Sequence, residues 1–368
     1  MKIGILTIPF NNNYGGYLQS YALMTVLKNM GHSPTVIMRR QNRRSYTLRA
    51  KLSFFIKNVF KTVKERRRYP YNLNQETLFK YRGKNMLTFV NRNIQPQTKY
   101  LYTTKDLQAE CNDTFDAYIV GSDQIWRPIY VKGNISNYFL DFIGEHHVKR
   151  ISYGASFGSS TPEYTDTEKA VCGKLLEKFD AVSVRESGAL RVFENLGWRV
   201  NHSQVVPDPT ILLPQNHYNE LIPSVNTIAK GRIFCYVLDK NDANTEIIST
   251  IQQRLHKHIY EIADIQKGYA VLPSIETWLS AIRDCDFVIT DSYHGTVFSI
   301  IFNKPFLVCV NKDRGADRFT SLLETFGLER HTSLVYPDID DHFDWTVVNS
   351  VLEEKRKEGM SFLEKALN

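Results

Sequence analysis

Residues 287–301 read Phe-Val-Ile-Thr-Asp-Ser-Tyr-His-Gly-Thr-Val-Phe-Ser-Ile-Ile, and they restrict the fold more than any other stretch. The apolar, β-branched run from Phe287 predicts a buried strand, which breaks at Asp291-Ser292 and gives way at Gly295 to an apolar helix. His294 therefore falls at a strand-to-helix turn. Backbone N–H groups there lack partners and the local dipole is positive, which favours a bound anion. An imidazole beside such a turn can hold a phosphate or carboxylate and deliver a proton. The same spacing also describes a helix-capping or core histidine.

The alternation runs the length of the chain. Strands are expected at Lys2–Ile8, Thr35–Met38, Ala117–Val120, Arg150–Tyr153, Ala181–Val184 and Gln204–Val206, with helices at Tyr17–Met30 and Thr167–Lys178. The second half repeats it: strands at Arg232–Leu238, Ile259–Ile262, Phe287–Thr290 and Phe306–Val310, with helices at Thr245–His256, Ser274–Asp284, Thr296–Phe302 and Ala316–Phe326. Strands alternating with helices over short links predict parallel sheets covered on both faces, an α/β class. At 368 residues the chain exceeds what one core usually serves. We expect an N-terminal Rossmann-like domain over 1–210 and a second over 211–345, with loops at their strands' carboxyl ends around a shared cleft. The division falls where Pro, Asn and Gln interrupt the periodicity near 209–223. A closing helix, 346–368, is expected to cross back to the first domain.

The hydrophobic content of 42% and charged content of 23% are those of an ordinary globular protein. The start, Met1 to Phe10, does not resemble a signal peptide, and no run reaches the ~18 apolar residues a membrane span needs. The expected location is the cytoplasm. The five cysteines (Cys111, Cys172, Cys235, Cys285, Cys309) are scattered without a CxxC pair, so neither a disulfide framework nor a zinc site is suggested. Charge is uneven. Between Arg39 and Arg68 stand twelve basic residues against Glu65 alone, a local +11 that leaves −4 on the rest of a chain of net charge +7. Within this insertion, about 39–70, Leu48, Leu52, Phe55, Ile56, Val59 and Val63 follow a helical period, with Lys57, Lys61 and Lys64 opposite and Arg66-Arg67-Arg68 closing it. Such a helix either lies in an anionic membrane interface or packs its apolar side on the domain. No aromatic stacking platform accompanies the charge, so nucleic acid is not the expected partner.

Three further turns follow strands. Asn11 to Gln19 contains Gly15 and Gly16, which let the backbone approach a ligand, while Asn13, Tyr14 and Gln19 offer hydrogen bonds suited to a sugar; a tight turn before a helix is the plainer account. Val120-Gly-Ser-Asp-Gln-Ile-Trp126 places Ser122, Asp123 and Trp126 in one turn. Asp123 can accept a hydroxyl proton over an aromatic platform, or the turn is an Asx turn with Trp126 in the core. Ser183-Val-Arg-Glu-Ser187 sets Arg185 at a strand end, where a guanidinium grips phosphate or carboxylate bidentately or pairs with Glu186.

Together these stretches resemble the polysaccharide pyruvyl transferase family through most of the chain. The matching segments, in order, are Ile3–Thr7 with Asn13–Gly16, Gly121–Trp126, Arg150–Gly158, Ser183–Glu186, Asp208-Pro-Thr210 and Ser292-Tyr-His-Gly295. The resemblance implies a GT-B-like fold of two Rossmann-like domains with the site between them. It also implies transfer of a pyruvyl group from phosphoenolpyruvate to two hydroxyls of a glycan sugar, forming a ketal. Arg185 and His294 match the family's donor-binding and catalytic positions. Members tend to carry Arg-Leu-His-Gly where this chain has Ser292-Tyr293-His294-Gly295, so the charge of that arginine falls to Arg318, Arg314 or Lys304.

The expected donor site is Arg185, Ser292, His294, Gly295, Thr296 and Arg318, with His294 as acid or phosphate partner. The expected acceptor site is Asn13, Tyr14, Gly15, Gln19, Ser122, Asp123 and Trp126, with Asp123 as base. Neither metal nor cofactor is called for; phosphoenolpyruvate is a substrate, and the acceptor is a cell-surface or lipid-linked glycan. Two other functions suit the same sequence: a nucleotide-sugar glycosyltransferase on this architecture, and a membrane-associated glycan-binding protein using the basic segment.

Overall fold

The computed structural model describes residues 1–40, 48–65, 75–131, 134–200, 202–222, 228–262, 270–310, 316–333 and 343–368. The strands are β1 (Lys2–Leu6), β2 (Ser33–Ile37), β3 (Ala117–Val120), β4 (Lys149–Ala155), β5 (Ala181–Val184), β6 (Ser203–Val205), β7 (Ile233–Tyr236), β8 (Ile259–Glu261), β9 (Phe287–Thr290) and β10 (Phe306–Val308). The first-lobe helices are α1 (Tyr14–Asn29), α2 (Leu48–Glu65), α3 (Gln75–Arg82), α4 (Lys84–Asn93), α5 (Thr104–Cys111), α6 (Pro128–Val131), α7 (Asp166–Leu176) and α8 (Gly188–Leu196). There follow α9 (Pro209–Leu212), α10 (Gln215–Leu221), α11 (Asp242–Leu255), α12 (Ile275–Asp284), α13 (Tyr293–Ile301), α14 (Ala316–Phe326) and α15 (Trp345–Leu367).

Six strands form one sheet in the order β2-β1-β3-β4-β5-β6, and four form a second in the order β10-β9-β7-β8. Every pairing is parallel. This is the α/β architecture the alternation predicts, two Rossmann-like lobes arranged in the GT-B manner. Strand order reverses direction between β1 and β3 in the first sheet and between β7 and β9 in the second. In open α/β sheets such a switch point leaves a crevice at the carboxyl ends of the strands. The turns after β1, β3 and β9, where the sequence set its candidate residues, therefore stand at those two crevices.

Two helices begin earlier than the apolar pattern indicates. Asn13 caps α1, its Oδ1 accepting from Gly15 N at 3.1 Å, so the helix starts at Tyr14 and not at Tyr17. Ser292 caps α13 through Gly295 N at 3.3 Å, which puts His294 inside the first turn. A capping side chain sits just before the helical residues, so the apolar pattern alone places the start too late. The helices α4, α5 and α8 were not read from the sequence.

The lobes share a core. All nine residues of α13 and twelve of the sixteen in α1 are buried, as in helices surrounded by protein. Their apolar side chains join the inner faces of both sheets in one continuous cluster. Tyr14 stacks on Trp278 (5.3 Å between centroids, 8° between planes) and donates to Pro273 O at 2.9 Å, tying α1 to the approach of α12. The closing helix α15 returns to the first lobe: Phe362 meets Tyr153 of β4 and Arg356 Nε donates to Ile211 O at 3.1 Å. Gly359 allows this approach, since a Cβ there would lie 2.5 Å from Tyr153 Oη and 2.6 Å from Leu212 Cδ2. Gly359→Ala is expected to lower stability by about 1–3 kcal/mol through overpacking, read as a fall in melting temperature.

Candidate active site

Asp208 is the centre of the site. It follows β6, is fully buried, and caps α9. Its Oδ1 accepts from Thr210 N at 3.0 Å and Thr210 Oγ1 at 2.7 Å. Its Oδ2 accepts from Ser122 Oγ and from Arg185 Nη1, each at 3.0 Å. His294 brings Nε2 to 3.4 Å from the same oxygen. Side chains from the ends of β3, β5 and β9 thus converge on one carboxylate. Burial opposes its ionisation, yet the close approach of His294 and Arg185, with the hydrogen bond from Thr210, holds its carboxyl well below the usual carboxylate range.

Arg185 joins more groups. Nη2 lies 3.5 Å from Asp123 Oδ1 and Nε 3.8 Å from Glu186 Oε2, while the guanidinium covers the Tyr293 ring at 4.2 Å. Glu186 accepts from Ser156 Oγ at 2.7 Å through Oε1, and burial raises its carboxyl above the ordinary value against the pull of Arg185. Arg318, on α14, approaches Tyr293 with Cζ 5.8 Å from the ring centroid. Burial, with the neighbouring charge of Arg185, depresses the Arg318 guanidinium. Burial also pushes the Tyr293 phenol well above its usual value. Two guanidiniums, Arg185 and Arg318, thus share this cluster with three carboxyl groups, Asp123, Glu186 and Asp208. Asp123 holds a left-handed backbone, φ 74°, a conformation costly for a residue with a Cβ and concentrated at functional sites.

Among the described residues, Arg185 Nε, Glu186 Oε2 and His294 Nε2 are buried without a formed hydrogen bond. Buried polar atoms are nearly always satisfied, and clustered exceptions mark places where another molecule is met. A cavity of about 110 Å³ is lined by Arg185, Asp208 and Tyr293 together with Ser321, Thr325 and Lys355. Gly15 sets the position of the imidazole, because a Cβ on it would fall 2.0 Å from His294 Nδ1. Gly15→Ala is therefore expected to displace the ring and cost as much turnover as losing it. Gly16→Ala, whose Cβ finds only ordinary contacts with Asn13, should leave steady-state turnover near wild type.

The remaining expected site residues separate clearly. Trp126 is no platform for a sugar: it is fully buried, stacks on Phe139 at 5.0 Å and donates from Nε1 to Tyr138 O at 2.9 Å. Its large apolar surface is better covered in the core than in a wet turn. Tyr14 is likewise committed to the packing between the lobes, and Gln19 donates to Thr7 Oγ1 at 2.7 Å and to Gly16 O at 3.1 Å. Asn13 spends its oxygen on the helix cap. Thr296 donates to Ser292 O at 3.2 Å inside α13, and Gly295 admits Thr290, whose Oγ1 would lie 2.5 Å from a Cβ. Lys304 stands past the far end of α13, near Cys285, and Arg314 lies outside the described residues. Of the two described candidates to replace the family arginine, Arg318 is the one beside Tyr293. The roles of Asp208 and Tyr293 were missed in the sequence, whereas the pairing of Arg185 with Glu186 was one of its alternatives. Asp208-Pro-Thr210 carries a legible capping signal, but nothing local in it points to Arg185 or His294.

Fold and site define a two-lobed α/β protein of the GT-B kind, with ionisable groups from both sheets gathered where the lobes meet. The chain belongs to the polysaccharide pyruvyl transferase family, whose model matches residues 13–313. It is accordingly a transferase of polysaccharide biosynthesis. Solved structures are similar to the chain only at low identity. The UDP-GlcNAc 2-epimerase of Methanocaldococcus jannaschii, in complex with UDP-GlcNAc and UDP, is similar at 13% identity over 99% of both chains, with a TM-score of 0.46. The UDP-GlcNAc 2-epimerase of Neisseria meningitidis, bound to UDP-GlcNAc, is similar at 11% over 100% of this chain and 99% of that one, with a TM-score of 0.47. A spinosyn rhamnosyltransferase is similar at 10% over the whole of both chains, with a TM-score of 0.41. Among curated proteins none matches the chain.

Proposed function

We propose that this protein transfers the pyruvyl group of phosphoenolpyruvate to two hydroxyls of a sugar in a cell-surface or lipid-linked polysaccharide, in the cytoplasm, forming a pyruvate ketal. The observation that carries this reading is the convergence of Arg185 and His294, from opposite lobes, on Asp208 Oδ2 at 3.0 and 3.4 Å. A donor bearing a carboxylate and a phosphate needs cations placed together with a proton source, and these groups supply both.

In this mechanism Arg185 and Arg318 anchor the donor's anionic groups. Protonated His294 gives its proton to the methylene carbon, which becomes a methyl group, and positive charge develops at the carbon bearing the enol oxygen. A sugar hydroxyl attacks that carbon as Asp123 takes its proton. Phosphate departs, and a second hydroxyl closes the ketal. Of the two hydroxyl protons, one replaces the proton spent on the methyl group and the other leaves on phosphate. No step requires a metal. Ser292, where members tend to carry arginine, leaves Arg318 as the second cation.

The test is incubation of the intact protein and a glycan acceptor with phosphoenolpyruvate, or in parallel with a panel of nucleotide sugars. Phosphate release with a new ketal methyl signal in the NMR spectrum of the glycan is the expected result. Nucleotide release without it would replace this reading with glycosyl transfer. Arg318→Ala should raise KM for phosphoenolpyruvate by about tenfold or more, since a charge-assisted hydrogen bond to an anion is worth about 1.5–3 kcal/mol.

A further inference from the structure

The helix α2 carries an exposed apolar face. Leu48, Leu52, Ile56, Phe60 and Val63 are exposed by 86%, 60%, 48%, 73% and 74%. Among the described residues, none from α2 enters any of the three hydrophobic clusters. Isolated exposed apolar side chains are common, but a continuous stripe of them along eighteen residues is not. At 100° per residue these five fall within an arc of about 120°. On the same helical period Lys57, Lys61 and Lys64 fall outside that arc, at about 160–220° from Leu48, while Arg49 falls within it between Ile56 and Phe60. The helix contains one acidic residue, Glu65, at its last position.

From this arrangement we infer that α2 docks the protein on an anionic lipid surface, lying in the plane of the interface with its Leu–Ile–Phe stripe down. The apolar stripe supplies burial in the acyl boundary. Arg49, within the stripe beside Phe60, reaches headgroup phosphates with its stem against the hydrocarbon. The lysines add attraction to the negative surface potential. A second copy of the chain is a poorer occupant. Face-to-face pairing of the stripe would bring Arg49 of one helix toward the basic residues of the other, with Glu65 the single acidic residue of each helix. A nucleic acid would answer the lysines and leave the stripe in water. The inference is independent of the donor proposed above, because it needs no turnover to be seen.

It is tested with the full-length protein and vesicles of phosphatidylcholine, with or without phosphatidylglycerol, by co-sedimentation at low and high salt. Binding is expected only with phosphatidylglycerol and is expected to fall at least tenfold (~10×) as salt screens the surface. Leu52→Asp with Phe60→Asp should abolish it while leaving the melting temperature unchanged, since both positions are exposed. Lys57→Glu with Lys61→Glu and Lys64→Glu should weaken it by roughly 100-fold. Wild type remaining in the supernatant would overturn the inference, as would undiminished binding by the double aspartate variant. So would a dimer in sedimentation equilibrium that the same double substitution dissociates, or displacement from vesicles by duplex DNA.

Discussion

Asp208→Ala is expected to lower stability by about 3 kcal/mol, the largest effect of any single substitution at the site. Removing one member of a buried charged set leaves the others desolvated and uncompensated, which typically costs 3–5 kcal/mol. The lower end applies because Arg185 retains Asp123 at 3.5 Å and Glu186 at 3.8 Å. Ser122 and Thr210 lose their acceptor in the same substitution. Asp208→Asn separates charge from cap, since asparagine serves equally well before Pro209 at the start of α9. The sign of the pH dependence follows from the depressed carboxyl. Its contribution is complete above the unfolded value, about 4, and drains as the pH falls toward the lower folded value. Glu186 acts in the opposite sense: its raised carboxyl favours the fold below the ordinary value and costs stability as the pH climbs through its folded one. Chemical denaturation from pH 3 to 7 should therefore give Asp208→Asn a flatter acid limb than wild type (~pH 3–4). Identical limbs would remove Asp208 from the centre of the cluster.

His294→Ala is expected to reduce turnover by ~10²-fold or more, the usual contribution of a positioned general acid. The affinity for the donor should change less than kcat, because two guanidiniums remain. A supporting role would give a different result. If His294 only filled space between the lobes, glutamine would restore most of the turnover, having similar bulk and a hydrogen-bonding end. If it delivers the proton, glutamine fails as alanine does, and the limb of the pH–rate profile that reports the acid disappears in both. Near-normal turnover in His294→Ala would exclude it from the chemistry.

How much of this was legible in the chain depends on range. Strands such as Ala117–Val120 and Phe287–Thr290 are buried on both faces, so their apolar runs announced them directly. The periodicity of 48–64 predicted α2, and the structure gives a helix over Leu48–Glu65. The helix α4 was harder. Three of its residues, Met86, Phe89 and Val90, are buried, and they make too short an apolar run to mark a helical period. Within the candidate site, Arg185, Asp123 and His294 were visible because each stands at a strand end, where α/β sheets place their ligands. Trp126 was misjudged for a physical reason. A tryptophan in a polar turn looks identical from sequence whether it covers a ligand or fills a core, and only Phe139 and Tyr138, met across the fold, decide it.

What the chain determined alone is the alternation of buried strands with capped helices, hence two parallel sheets with the loops bearing Asp123, Arg185 and His294 at their carboxyl ends. Those are local matters of period, capping and burial, acting over a few residues. Tertiary structure decided that Asp208 would receive Ser122, Arg185 and His294 together, and that α2 would keep its apolar face in the open. Residues 86 positions apart share that carboxylate. Such meetings depend on how two lobes close on one another, which no short window of sequence contains.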